Sequence, residues 1–452
     1  MAFRRWLSVL GVRAPRPDAQ VRADAIAALG GEGCPVCRAR EDSMRRWFFA
    51  YENDTRVDLA MRERLERSFG FCAPHTRRLL DLGASTSWLA RWVFADVARA
   101  GARALAAPSP VTPGPCPACQ AAARTEADVL GTLRAGLVDA EVRRLMDAGD
   151  ALCLTHGLAI IERGGPTVGR AVATLLDSRL GKDTVTAREH LTSSDPDFAR
   201  RRKIREEGFT RVFAAEEAAR NHGPLGDANL VLDWPCCPLC AAADLAEWRG
   251  IHWLTGLSPE ESAELRTDAT LCARHLGDLT SFRLTSGELS SVTLTDEGLL
   301  VAVAAVIEHV AMVWRTELQG YLRQVDSRTT WWPSRRAAPI RRELSCQLCA
   351  RRQAAVARTR RLLGLVAADP AYADRMARAH GVCLRHGLST DLPPPWRRLV
   401  AARVGLLSYE LDEAERKAGW DARWELRGAE MVAWRRAPTL LDGGVLGPVS
   451  SE

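Results

Sequence analysis

Apolar residues recur at helical spacing along much of this chain. Met44, Trp47, Phe48 and Tyr51 stand at i, i+3, i+4 and i+7, which lays them on one face of an α-helix. After a break at Asn53–Asp54, the positions Val57, Met61, Leu65 and Phe69 mark a second helix that ends at Gly70. Farther on, "SPEE" at Ser258–Glu261 offers an N-cap, a proline at the first helical position and a glutamate at the third. Asp369–Pro370 opens another helix, which Gly381 follows. The apolar run Leu299–Trp314 is interrupted by Glu308 and His309 and is shorter than a membrane span, so it predicts a core helix. The pattern predicts an all-α protein.

Cysteine pairs are set among these helices at a steady interval. A CxxC at Cys34 and Cys37 is followed by a CxxH at Cys72 and His75. The order recurs with Cys116, Cys119, Cys153 and His156, then with Cys237, Cys240, Cys272 and His275, and again with Cys346, Cys349, Cys383 and His386. The gaps are 34, 33, 31 and 33 residues, and twelve of the thirteen cysteines are used. Taken in chain order, each CxxC joins the CxxH that follows it. The expected module is CxxC, helix, helix, CxxH, helix: a helical hairpin with a metal ion at its base.

Three thiolates and one imidazole suit tetrahedral zinc, and four protein ligands leave no coordination position for water or substrate. The expectation is four structural Zn2+. An iron–sulfur cluster is the alternative, although its usual motifs crowd the ligands into a shorter loop. Ligands placed near helix starts gain from the positive end of the helix dipole, which helps keep thiolates ionised. The opening stretch "MAFRRWLSVLGVRAP" has too short an apolar run for a secretory signal. In a chain of 452 residues, regular Cys/His spacing without such a signal favours metal over disulfides and a cytoplasmic setting.

"LCLTHGL" at Leu152–Leu158 is like "VCLRHGL" at Val382–Leu388, which aligns the second CxxC/CxxH unit with the fourth and the first with the third. Two tandem copies follow, 20–225 and 226–440, flanked by an N-terminal extension at 1–19 and a C-terminal tail at 441–452. The CPxC…CxxH units and the stretch "DPAYADRMARAHGVCLRH" resemble a family of bacterial proteins with paired Cys3His sites. The segment "ERKAGWDARWELRGAEMVAWRRAPTLLDG" is similar to that family's C-terminal helical segment, and one family unit spans about half of this chain. The resemblance implies metal sites and a helical fold. It implies no substrate, because the family carries no established activity.

Composition narrows the function classes. Hydrophobic content of 47% and charged content of 26% are those of a globular protein. The formal charge of +6 is nearly all arginine, with lysine only at 182, 203 and 417, a bias that a GC-rich genome also produces. Each Cys3His set with a dication carries a net −1, so four would lower +6 to about +2. That balance counts against nucleic acid, whose binders carry a basic face.

Two basic stretches keep nucleic acid as the alternative partner. "RRRKIR" at Arg200–Arg205 is one, and "TTWWPSRRAAPIRR" at Thr329–Arg342 is the other. In the second, Trp331 and Trp332 with Arg335 and Arg336 form a candidate partner-binding patch, since adjacent tryptophans cannot both face one core from a regular helix. Cys236 stands outside the repeat, and His190, His222, His252, His309 and His380 lack partner spacing. No GxSxG elbow, phosphate loop or HExxH occurs, and no small-molecule substrate is identified. The reading is a non-enzymatic zinc-binding helical scaffold or adaptor that works through protein–protein interaction, with a nucleic-acid-binding zinc protein and an iron–sulfur or redox protein as alternatives.

Overall fold

A computed structural model describes residues 19–53, 58–82, 86–107, 109, 111–149, 152–191, 231–255, 271–272, 275–276, 296–327, 346–422 and 424–443. Among them every regular element is helical. The first half of the sequence contributes α1 (Ala19–Leu29), α2 (Pro35–Asn53), α3 (Leu59–Ser68), α4 (Ala73–Leu80) and α5 (Thr86–Ala106). It continues with α6 (Pro117–Gly136), α7 (Ala140–Ala148), α8 (Leu154–Arg163), α9 (Gly165–Leu180) and α10 (Thr184–Leu191). The second half contributes α11 (Pro238–Thr255), α12 (Asp296–Ser327), α13 (Gln347–Ala368), α14 (Ala373–Arg378), α15 (Leu384–Gly387), α16 (Pro394–Ala418) and α17 (Ala433–Leu441).

The local signals act as their chemistry dictates. Met44, Phe48 and Tyr51 are buried along α2, while Met61 and Leu65 are buried along α3. Asp58 caps α3 by accepting from the Ala60 backbone N–H, which satisfies a donor the first turn leaves orphaned. Phe69 and Gly70 end the helix in left-handed backbone, at φ 51° and 91°. Asp369 accepts from the Ala371 N–H and opens a 3-10 turn at Pro370–Tyr372 that leads into α14. The expected apolar helix is the middle of α12, with Ile307, Val310, Ala311 and Trp314 buried. The capping signal at 258–261, the basic run at 200–205 and the 329–342 stretch with its partner-binding patch lie outside the described residues.

The chain folds into two compact units, and each half of the sequence contributes to both. One unit comprises Met1–Ser43, Ala122–Asp195 and Trp253–Gln347. Within it α9 packs on α8 and α12, α10 joins α9 and α12, and α1 packs on α7. Val172, Leu176 and Leu180 of α9 and Trp314 and Leu318 of α12 are buried. Arg315 and Gln319 of α12 both donate to the Asp177 carboxylate of α9, at 3.1 and 3.2 Å.

The other unit comprises Met44–Ala121, Pro196–His252 and Leu348–Glu452. Its spine is the pairing of α5 with α16. On α16 the residues Val400, Val404, Leu407, Leu411 and Ala414 are buried at a spacing alternating between four and three, which lays them along one face of the helix. At the edge of this pairing Arg99 of α5 donates to Asp412 at 2.7 Å. Asp96 receives a two-pronged contact from Arg62 of α3, at 2.9 Å on each arm, which pins α3 to α5. The Trp396 indole N–H donates to the Leu363 carbonyl at 2.8 Å, so the largest fully buried side chain of the core is also satisfied.

Candidate metal centres

All sixteen ligands singled out in the sequence fall into four Cys3His groups, but the grouping is not the one expected from chain order. Cys34 and Cys37 meet Cys153 and His156, while Cys72 and His75 meet Cys116 and Cys119. In the second half Cys237 and Cys240 meet Cys383 and His386, while Cys272 and His275 meet Cys346 and Cys349. The sets of Cys34 with His75, Cys116 with His156, Cys237 with His275 and Cys346 with His386 do not form. Each CxxC takes its CxxH from the neighbouring hairpin, and the two hairpins of a copy exchange ligands reciprocally.

The cause lies in where the second arm of each hairpin packs. The 19-residue α2 is followed by a 10-residue α3, and α3 has α5 as its main helical neighbour. Likewise the 20-residue α6 is followed by the 9-residue α7, which packs on α1. A second arm held by another helix does not bring its CxxH back to the CxxC where the first arm began.

Among the described residues, three of the CxxH pairs share one build, and three of the CxxC pairs share another. Cys72, Cys153 and Cys383 occupy the N-cap position of α4, α8 and α15, with φ/ψ of −70°/161°, −72°/158° and −69°/164°. The first helical hydrogen bond then runs to the Cys72, Cys153 and Cys383 carbonyls from the N–H groups of Thr76, Gly157 and Gly387, at 2.8, 2.9 and 2.8 Å. In the CxxC pairs the helix begins one residue after the first cysteine, at Pro35, Pro117 and Pro238, where proline has no N–H to leave unsatisfied. Residues three apart in a first helical turn share a face, so both ligands of a pair point to one spot.

The geometry fits one tetrahedral ion per group. In each group the four ligand atoms lie within 4.8 Å of one another. His156 Nδ1 is 3.3, 3.4 and 3.1 Å from the sulfurs of Cys34, Cys37 and Cys153. His75 Nδ1 is 3.1, 3.6 and 3.4 Å from those of Cys72, Cys116 and Cys119. His386 Nδ1 is 3.3, 3.5 and 3.3 Å from those of Cys237, Cys240 and Cys383. His275 Nδ1 is 3.2 and 3.1 Å from those of Cys272 and Cys346. Sulfur–sulfur separations are 3.6 Å for Cys72–Cys119, 3.9 Å for Cys37–Cys153 and 4.0 Å for Cys240–Cys383. A tetrahedron with metal–sulfur bonds of about 2.3 Å and metal–nitrogen bonds of about 2.0–2.1 Å has edges of about 3.8 Å and about 3.6 Å. All thirteen cysteines are free thiols, so none of these contacts is a disulfide.

Charge within a group calls for a cation. Hydrogen bonds from Cys153 and Cys37 hold the Cys34 thiol far below its ordinary range, and Cys119 and Cys72 do the same for Cys116. The same contacts drive Cys153 and Cys72 far up. One thiol ionises at its neighbours' expense, because adjacent negative sulfurs repel at this distance. Burial disfavours a charged His156, yet the sulfurs of Cys34 and Cys37 outweigh it and raise the imidazole to about 11. At His386 burial is outweighed by Cys237 and Cys383, with a rise to about 10. A cation held by these four ligands would supply the positive charge that the imidazoles otherwise take up.

Supporting residues are absent from the spacing pattern. His156 Nε2 faces the Glu126 carboxylate of α6 at 3.6 Å, an outer contact that orients the ring and raises its basicity. In the second unit Arg385, next to ligand His386, donates to the Phe71 carbonyl at 2.8 Å and to Asp442 at 3.3 Å. Thr76, next to ligand His75, donates its hydroxyl to the same Asp442. Burial pushes Asp442 up to about 6 against the pull of Arg385 and Thr76. Gly443 follows at φ +71°, and a Cβ there would run into the sulfurs of Cys383 and Cys240. Asp442 and Gly443 thus lie against residues of two Cys3His groups. These partners come from residues 57 and 366 apart along the chain, so no local motif announces them.

Fold and site together define a class: an all-α protein with four Cys3His groups able to hold metal ions. No protein-family model matches the chain, and no curated protein or solved structure is similar to it.

Proposed function

We infer that this chain is a zinc-stapled helical scaffold that acts through contacts with another protein and performs no chemistry of its own. The observation that carries the reading is the closure of each group: three sulfurs and an imidazole surround one point, which leaves no ligand position for a substrate. Separations of at most 4.8 Å favour a single zinc ion over an iron–sulfur cluster, whose several irons hold thiolates farther apart.

Exposed apolar residues support the adaptor role. Trp424 is 82% and Leu426 91% exposed in the segment between α16 and α17, and aromatic residues there are apt anchors for a protein partner. Trp331 and Trp332, with Arg335 and Arg336, are proposed as a second contact on the strength of the sequence. Nucleic acid is disfavoured because arginines across the described helices are engaged with carboxylates, among them Arg62, Arg99, Arg315, Arg352, Arg375 and Arg416.

Elemental analysis of the purified full chain tests the metal reading, with four zinc ions per chain expected and the visible absorption of an iron–sulfur cluster overturning it. The adaptor role is tested by isolating a partner bound at fixed stoichiometry and repeating the titration with Trp331→Ala/Trp332→Ala and with Trp424→Ala. Unchanged binding by both variants removes the proposed contacts.

A further inference from the structure

Exposure separates the four groups. Cys34, Cys37, Cys153 and His156 are 5, 4, 4 and 4% exposed, sealed within their unit. Of the thirteen cysteines Cys119 alone is exposed, and its group-mate Cys72 is half-buried. The two sulfurs are neighbours at 3.6 Å. Cys72 stands at the N-cap of α4 and Cys119 in the first turn of α6, so the two sulfurs come from separate helix starts and meet at the outer side of the group. An accessible cysteine sulfur with a second one in reach is the arrangement that reacts with peroxides and then closes as a disulfide.

Resting on the metal-centre reading, we propose that Cys72 and Cys119 form a peroxide-responsive modification site, and that their oxidation frees the metal of this group ahead of the other three. The Cys119 sulfur attacks one oxygen of the peroxide. A sulfur–oxygen bond forms, the oxygen–oxygen bond breaks, and the departing hydroxide takes a proton to become water. The product is a sulfenic acid on Cys119. The Cys72 sulfur then attacks the Cys119 sulfur; the sulfur–sulfur bond forms, and the second oxygen leaves as hydroxide and is protonated to water. Two thiolates together lose two electrons, the peroxide gains two, and two protons are consumed. His75 and Cys116 remain as the only ligands, too few to retain the ion. The sealed group around Cys34 has no comparable entry.

The test uses the full chain as purified, with metal counted first. Hydrogen peroxide is added with a chromogenic chelator present, and thiols are trapped with an alkylating reagent at intervals and mapped by mass spectrometry. One metal equivalent is expected to leave on the order of ten times faster than the rest, together with a Cys72–Cys119 disulfide. Release of all four metals together, or early loss of thiols from the group around Cys34, overturns the proposal. A chain that purifies without metal overturns the metal-centre reading instead, and in it the order of thiol loss still decides whether Cys72 and Cys119 react first. Full metal content with no preferential release sinks the redox site alone.

Discussion

Arg385 donates to Asp442 at 3.3 Å, and through that pair two Cys3His groups of one unit are tied together. Asp442 also accepts from Thr76, so a single carboxylate holds the residues that follow His75 and precede His386. Removing it takes the carboxylate away from a partly buried guanidinium. Asp442→Ala is expected to cost about 3 kcal/mol, because an ion pair broken on one side leaves a buried charge uncompensated. Thermal or denaturant unfolding reads this directly, and a loss below experimental error argues that solvent replaces the carboxylate.

The neighbouring residue makes a sharper demand. Gly443 lies against the sulfurs of Cys240 and Cys383 in left-handed backbone. Gly443→Ala adds backbone strain and a methyl group where none fits, a combined penalty on the order of 3 kcal/mol. The expected result is a chain that loses the metal of that group and keeps the others. Metal content equal to wild type at an unchanged melting temperature would show that the C-terminal segment does not press on the group.

The exchanged pairing of the hairpins has a test of its own. Cys34→Ser with Cys153→Ser should remove one metal, since both cysteines serve one group. Cys34→Ser with Cys72→Ser should remove two, since they serve different groups. Chain-order pairing predicts the reverse, so metal counts on the two double variants decide between the arrangements.

An outer contact should be felt by the metal it supports. Glu126 sits opposite His156 Nε2, and Glu126→Gln keeps the shape while removing the charge. A fall of about ten-fold in affinity at this group is expected, read by competition with a chelator of known strength.

One pH dependence follows from the segment before α17. The Gly428 backbone N–H, at 2.6 Å, the Glu430 N–H and Lys417, at 3.0 Å, hold the Glu430 carboxylate down at about 2, below its usual 4.5. A depressed carboxylate contributes stability that is present above its unfolded value and is lost as pH falls through the folded one. The link from Gly428 to Glu430 should therefore persist as pH drops past 4.5 and give way only toward 2. A carboxyl titration of Glu430 by NMR with its midpoint at the ordinary value would refute the contact.

Much of this protein is written locally. The stripe from Met44 to Tyr51, the caps at Asp58 and Asp369 and the stop at Gly70 each depend on residues within a few positions of one another, so the helices and their ends were legible in the sequence. The sixteen ligands were legible for the same reason, because a CxxC or CxxH is completed within a single helical turn. Which pair meets which was not. Gaps of 31 to 34 residues are compatible with a hairpin closing on itself or with two hairpins trading ends. The choice falls to the packing of the second arms, α3 on α5 and α7 on α1, which depends on helices distant in sequence. The same holds for Asp442 and Gly443: nothing near them in the chain marks them as part of a metal centre, and they become so only because α17 packs beside α5 and α16. Local chemistry determined the helices and the ligands; long-range burial of apolar faces decided how the ligands combine.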